Sequence, residues 1–415
     1  MEKITTSTPT GKEKRIDLLD VYRGFAILGI FVVNIVIMNS TFLNQDEFAK
    51  QWTSNIDQFA ERVLQLFFYT KFFPIFSLLF GLGISMQVLK LKKHNKKTFA
   101  FLSRRMLILF MIGVFHIIFI WSGDVLNLYA ILGLFVSFFV SKSNKLILSL
   151  SAFFLLFPFY DGIFSFLFRK VNFNPGIFIK NYDGALVNNI ISEGTYLEGI
   201  KLRLLEYISN IPMLFGFLAP IALSMFLLGI YLGKNEIYKS IKTYLRTIKK
   251  PIIIITLIAN IYRIAFLFFL PGYEIYSNQN FQPYFIKLMV ISDVITGLFY
   301  LWVIGWLWYY SKLKSLFKPL EYVGRMALTN YIMQSLIGLI IFSSIGFSLY
   351  EKLSPSETLL TAFAVFCLQV IYSRLWLTYF RFGPLEWIWR CLTYKKILPI
   401  RRMEKSKVPN IGYSK

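Results

Sequence analysis

Two polar clusters stand beside long apolar runs, where polar groups are expensive, and each suggests its own chemistry. The first is Arg15-Ile-Asp17-Leu-Leu-Asp20-Val-Tyr-Arg23-Gly24. Asp20 and Arg23 are three apart and share a helix face. Asn34 follows Arg23 by about three turns, on roughly the same face. Cations with a carboxylate and an amide at the mouth of a span read as an anion site. The plainer alternative is an Arg23 that only anchors the helix by extending to the interface. The second cluster is Phe115-His116-Ile-Ile-Phe-Ile-Trp121-Ser-Gly-Asp124-Val-Leu-Asn127-Leu-Tyr129. A carboxylate beside an imidazole fixes its tautomer and raises its basicity, which is what a general base needs, so His116 and Asp124 are the catalytic candidates. Here the plainer alternative is a buried His116 bonded to a carbonyl, with Asp124 capping the next helix.

Other polar residues fall within or beside apolar runs. Lys71 precedes Phe-Phe-Pro74-Ile-Phe-Ser77-Leu-Leu-Phe-Gly81, where Pro74 can kink the helix and the small residues allow close approach. Gly324-Arg325-Met-Ala-Leu-Thr329-Asn330-Tyr-Ile-Met-Gln334-Ser335 carries a polar stripe beneath one cationic head. Arg263, Asp293 and Arg374 are further charges inside spans, and the first two are candidates to pair. The other histidine, His94, sits in the solvated loop Lys92–Lys97.

The elements that must hold these groups are membrane helices. The chain of 415 residues is 56% hydrophobic, with a mean hydropathy of +0.57, and its apolar residues come in unbroken runs. Runs of about 20 residues cross a bilayer core. The runs predict a polytopic all-α bundle of about ten spans: Asp20–Phe42, Leu66–Lys90, Phe101–Trp121, Val125–Val140, Leu146–Tyr160, Asn210–Leu232, Pro251–Leu270, Pro283–Tyr310, Met326–Leu349 and Thr358–Phe380. The fourth and fifth are short enough to tilt or to pair as a tight hairpin. The amino-terminal run is too long for a signal peptide and lacks a cleavage site, so it reads as a retained span.

Lys and Arg placement sets the orientation. With the amino terminus inside, the inner segments hold 33 of the 45 basic residues and the outer segments 8. Both termini are therefore expected in the cytoplasm. The net charge of +23 is then topology with some attraction to anionic lipid, not a nucleic-acid surface. The expected organisation is a single transmembrane domain. It comprises a five-span half (1–160) bearing both clusters, an external amphipathic segment (161–207) lying on or capping the bundle, a second five-span half (208–390) and a basic tail (391–415). Cys367 falls in a span and Cys391 in an inner segment, apart from each other and from His94 and His116, so no Cys/His metal site and no metal is expected. No P-loop, dinucleotide fingerprint, nucleophile elbow or zinc-protease motif is present.

The opening Arg15 to Ile30 with Asn34, the Lys71–Gly83 stretch, and the run from His116 through Gly123-Asp124-Val-Leu to Tyr129 resemble the YeiB family of bacterial membrane proteins. So do Gly324-Arg325-Met-Ala-Leu-Thr-Asn-Tyr331 and Gly383-Pro-Leu-Glu-Trp-Ile-Trp-Arg390. These stretches span nearly the whole chain in order. The first-span motif is similar to that of transmembrane acyltransferases, including heparan-alpha-glucosaminide N-acetyltransferase and the acyltransferase-3 group. The resemblance implies a multi-pass protein of the bacterial plasma membrane that takes cytoplasmic acyl-CoA, acetyl-CoA first, as co-substrate. Arg15, Asp20 and Arg23, with Lys71 and Arg325 as further cations, would hold the donor. Asn34, Asn127, Tyr129, Asn330 and Gln334 would be candidates for the substrate or the oxyanion. Expected partners are membrane lipids and a small-molecule or glycan acceptor, no nucleic acid, with a homodimer among the assemblies the sequence allows. The heparan enzyme has its catalytic histidine just after its first span. Asn44–Glu61 here has none, so the role of His116 rests on this sequence alone. The competing readings are a transporter or exporter without covalent chemistry, and a scaffold whose polar groups only join helices.

Overall fold

The computed structural model describes residues 15–41, 44–93 and 97–402. His94, most of the amino-terminal basic segment and the end of the basic tail lie outside the described residues. Among those described, the chain is helical. The sole strand-like feature is an isolated antiparallel bridge between Phe380 and Arg401.

The helices that build the bundle are numbered here in chain order. They are α1 (Asp17–Asn39), α2 (Asn55–Phe67), α3 (Phe72–Lys93), α4 (Thr98–Phe119), α5 (Leu126–Ser137), α6 (Asn144–Leu156), α7 (Tyr160–Lys170) and α8 (Tyr196–Ser209). Then follow α9 (Ala219–Lys234), α10 (Lys249–Phe268), α11 (Gln282–Tyr310), α12 (Lys314–Arg325), α13 (Ala327–Phe342), α14 (Pro355–Tyr379) and α15 (Pro384–Tyr394).

Each of the ten expected spans is helical, but not all are straight or long. Seven helical stretches are long and apolar enough to cross a membrane, and the number rises to nine if each bent pair is one span. The bent pairs are α6 with α7, at 83°, and α12 with α13, at 82°. The remaining expected span, Val125–Val140, is the short helix α5 with its 3-10 extension to Ser141. It does not form a hairpin with α6; both pack on α9. Nor does Pro74 kink its helix. It falls in the first turn of α3, where its missing N–H costs nothing. The break comes earlier, between α2 and α3, where Thr70 takes a left-handed φ of 65°.

Three devices position the site. Gly24 of α1 and Gly324 of α12 let the two helices touch backbone to backbone. A Cβ on Gly24 would lie 2.0 Å from the Leu320 carbonyl oxygen, and one on Gly324 would lie 1.8 Å from that of Asp20. Each glycine adjoins an arginine, so this contact brings Arg23 and Arg325 to a common wall. Glu386 of α15 caps the start of α13 after its bend. Its carboxylate accepts from the N–H groups of Leu328 (2.6 Å) and Thr329 (3.1 Å) and from the Thr329 hydroxyl (2.6 Å). The third device is a buried ion cluster. Asp293 of α11 lies 2.9 Å from Lys71 Nζ and 2.8 Å from Arg263 Nε. Both cations also donate to carbonyls at the end of α2, Lys71 to Tyr69 and Gln65 and Arg263 to Leu66 and Gln65, as cations at a helix C-terminus do.

The segment expected to cap the bundle contains α7, α8 and a short helix Gly184–Ser192. Helix α8 begins with a Thr195–Glu198 capping box. It lies over the turn between α4 and α5, where Arg203 Nε donates to the Ile118 carbonyl (3.2 Å) and Tyr196 to that of Phe119 (2.5 Å). Helix α10 is mostly uncovered, with Ile254, Leu257, Ile258 and Ile261 exposed, as suits a lipid-facing helix.

Candidate functional site

A cavity of about 670 Å³ runs between α1, α3, α4, α5 and the α12–α13 bend, and it joins the two polar clusters. Arg23 and Ile37, both on its wall, are separated along α1 by about 21 Å at 1.5 Å per residue.

At one end the wall carries Arg15, Arg23, Arg105, Arg325 and Arg390. Asp20, 1% exposed, sits behind them and pairs with both Arg15 and, at 2.8 Å, Arg23. Arg325 has only a distant contact, 3.8 Å, with Glu321. Arg105 lies 3.6 Å over the Trp389 ring, whose Nε1 donates to the Arg105 carbonyl (2.8 Å). Burial, with repulsion from Arg15 and Arg23, holds the Arg390 guanidinium below its ordinary value. Glu386 also lines this end, but its oxygens are committed to the α13 cap. Five arginines thus face the carboxylates of Asp20, Glu321 and Glu386, and this excess of cations is the electrostatic form of an anion site.

The middle of the cavity is apolar, with Phe72, Phe73, Phe76 and Phe80 of α3 facing Ile30 and Val33 of α1. Leu214–Leu218, a turn of π-helix leading into α9, contributes Leu214, Phe217 and Leu218.

At the far end lie Asn34, Trp121, Ser122, Asp124, Tyr207 and Tyr331. His116 Nδ1 is 2.9 Å from Asp124 Oδ1, and the Tyr331 hydroxyl donates to the same oxygen (3.3 Å). Asp124 Oδ2 accepts from the N–H groups of Leu126 (2.8 Å) and Asn127 (3.4 Å), so Asp124 both caps α5 and holds the imidazole. His116 is fully buried, and its Nε2 has no partner among the described residues. The order differs from the one the sequence suggests. Asp124 and Tyr331 form the cavity wall, and His116 stands behind Asp124.

The other sequence candidates divide. Arg15, Arg23, Arg325 and Asn34 are on the wall. So is Tyr129, although its hydroxyl is shared with Ser77 Oγ at 2.6 Å. Lys71 is not on the wall; Asp293 holds it in the ion cluster. Asn127 turns its amide to the Tyr207 hydroxyl. Asn330 and Gln334 join α13 to α14, through Ser373 (2.9 Å) and Gln369 (2.8 Å). Arg105, Arg390, Trp389 and Ser122 are wall residues that motif reasoning did not single out as site residues. Arg105 counts in sequence only as loop charge. Trp389 and Arg390 fall within the Gly383–Arg390 stretch, which marked the family but suggested no role. Beside the far end, Glu206 of α8 accepts from Ser122 Oγ at 2.8 Å. Burial pushes its carboxyl up to about 7, against the opposing effects of Ser122 and Arg203.

The uncharacterized protein YxaH of Bacillus subtilis is 28% identical to this chain over 412 residues, covering 96% of this chain and 98% of that protein. The uncharacterized protein YeiB of Escherichia coli is 27% identical over 404 residues, covering 92% and 97%. Residues 232–396 match the family described as a protein of unknown function, DUF418. The similarity to YeiB and YxaH over nearly the whole of each chain bears out the resemblance to the YeiB family. The DUF418 match begins at the end of α9 and runs through α15, so it takes in Arg325, Tyr331, Glu386 and Arg390, while Arg23, Arg105 and Asp124 lie ahead of it. No solved structure matches.

Proposed function

We propose that this chain is a transmembrane acyltransferase of the bacterial plasma membrane that moves an acyl group from cytoplasmic acyl-CoA to an external or envelope-linked acceptor. One observation carries the reading: a single cavity is bounded by five arginines at one end and by the Asp124–His116–Tyr331 group at the other. Lys and Arg placement supports a cytoplasmic position for the arginine end. There the arginines would take the phosphates of the donor, with planar donors suited to phosphate oxygens. The apolar middle would hold the pantetheine arm, whose extended length is of the same order as the separation of the two ends. The thioester would then arrive beside Asp124.

At that end Asp124 would take the proton of the attacking acceptor. His116 would act through it as a positioning residue, holding the carboxylate from behind. The Asn34 amide would donate to the oxyanion as the tetrahedral intermediate forms. Collapse would expel the thiolate of CoA and leave the acyl group on the acceptor.

The test is acetyl-CoA binding to the purified chain in detergent by calorimetry, with Arg23→Ala and Arg390→Ala. The expected result is saturable binding weakened about tenfold or more in each variant, as for a hydrogen bond between charged groups. Absent binding by folded wild-type protein would remove the acyl-transfer reading.

A further inference from the structure

Next to the far end of the large cavity lies a second, much smaller one of about 70 Å³, bounded by α1, α8, α13 and the Gly184–Ser192 helix. Ile37 and Trp121 belong to the walls of both. Three of its lining residues carry buried polar atoms with no partner among the described residues: Glu206 Oε1, Arg203 Nη2 and Ser335 Oγ. Glu206 is 8% exposed and Ser335 is 1% exposed. Such atoms are rare in folded proteins, because each forfeits its hydration without replacement. Three gathered at one small cavity, offering a carboxylate oxygen, a guanidinium N–H and a hydroxyl, make a set of hydrogen-bonding groups without a ligand. The other Glu206 oxygen is already occupied by Ser122, on the wall of the large cavity, so Glu206 stands between the two spaces.

We infer that this small cavity is a hydroxyl-binding subsite, and that it selects a polyhydroxylated acceptor by taking one hydroxyl while a neighbouring hydroxyl lies in the large cavity for acylation. The choice of ligand follows from the groups present. A hydroxyl donates to Glu206 Oε1 and accepts from Arg203 Nη2, satisfying both. An ammonium group would satisfy the carboxylate but meet the Arg203 cation, and an anion would be repelled by Glu206. The volume suits a hydroxyl or hydroxymethyl group and excludes a large head group. Trp121, on the boundary, gives the carbon skeleton between the two hydroxyls an apolar surface. The acceptor role rests on the acyl-transfer reading; hydroxyl binding by this cavity does not.

The experiment has two arms, each using the full chain in detergent. In the first, Ser335→Cys is made in a Cys367→Ser, Cys391→Ser background and labelled with methyl methanethiosulfonate, with and without glycerol, the adduct being read by mass. Glycerol is expected to slow labelling at least threefold, and the added Glu206→Gln substitution to remove that protection. Equal labelling rates in the presence and absence of glycerol would mean that the cavity holds only water, and would overturn the subsite. In the second arm, acetyl transfer from acetyl-CoA to glycerol is compared with transfer to ethanol and ethanolamine. Glu206→Gln is expected to raise the KM for glycerol about tenfold while kcat changes less than threefold. An unchanged KM, or a preference for ethanolamine, would overturn the assignment of the acceptor. Protection by glycerol with no acetyl transfer in any variant would sustain the hydroxyl subsite and remove the acyl-transfer reading alone.

Discussion

At the residue scale, the geometry separates Asp124 from His116 more sharply than their spacing does. The sequence puts an imidazole near the end of one span and a carboxylate in the tight turn that follows, and the two pair at 2.9 Å. What the spacing could not say is which of the two faces the cavity, because that depends on how α4 is rotated against α1 and α13. Asp124 faces it, and His116 is enclosed. Asp124→Asn is therefore expected to lower acyl transfer by about 100-fold or more, the scale of a lost general base. His116→Gln, which removes the imidazole behind the carboxylate, is expected to cost less, about tenfold, and to shift the pH profile of kcat. Transfer rates of the two variants check this, with acetyl-CoA binding as the control for folding. A larger loss from His116→Gln than from Asp124→Asn would return the base to the imidazole. Lys71 teaches the same lesson in reverse. In sequence it is a cation near a span end, indistinguishable from Arg23. Its partner Asp293 lies over 200 positions away, so only the fold can assign it to the ion cluster.

At the element scale, the apolar runs were enough to find the helices, since each expected span is helical. Their breaks were not legible in the same way. The 82° bend between α12 and α13 depends on Glu386 arriving from α15 to satisfy the exposed N–H groups of α13, a contact between distant parts of the chain. The Gly24–Gly324 contact is likewise invisible to pattern reading, although each glycine stands beside a cation that the sequence does single out. That contact yields a prediction away from the ligand. In Gly324→Ala every arginine is kept, but the new methyl would meet the Asp20 carbonyl oxygen at 1.8 Å. Helices α1 and α12 must separate, at a cost of about 1–3 kcal/mol for overpacking, and Arg325 moves away from Arg23. The expected outcome is a lower Tm together with weaker acetyl-CoA binding. A variant that loses Tm but binds acetyl-CoA as tightly as wild type would show that the helix contact does not set the arginine wall.

At the scale of the whole molecule, the cavity matters because its two ends face different compartments if the Lys and Arg distribution sets the orientation. A transporter would alternate access to one central site, with the buried charges lining the path. Here Lys71, Asp293 and Arg263, buried away from the wall, fasten the end of α2, while the excess of arginines gathers at one end of the cavity. That asymmetry suits a protein that holds one reactant from each side. In proteoliposomes with a single orientation, acetyl-CoA supplied on the arginine side is expected to support transfer to glycerol supplied on the other, with no net passage of acetyl-CoA or free acetate between compartments. Substituted cysteines at Arg390 and at Ser122, each in the cysteine-free background, fix the orientation through a membrane-impermeant thiol reagent added outside, which should label the Ser122 position and spare the Arg390 position. Transfer only when both reactants share a compartment would refute a donor and an acceptor drawn from opposite faces. Accumulation of acetyl-CoA across the bilayer without acylated product would replace group transfer by transport, and the cavity would then be its path.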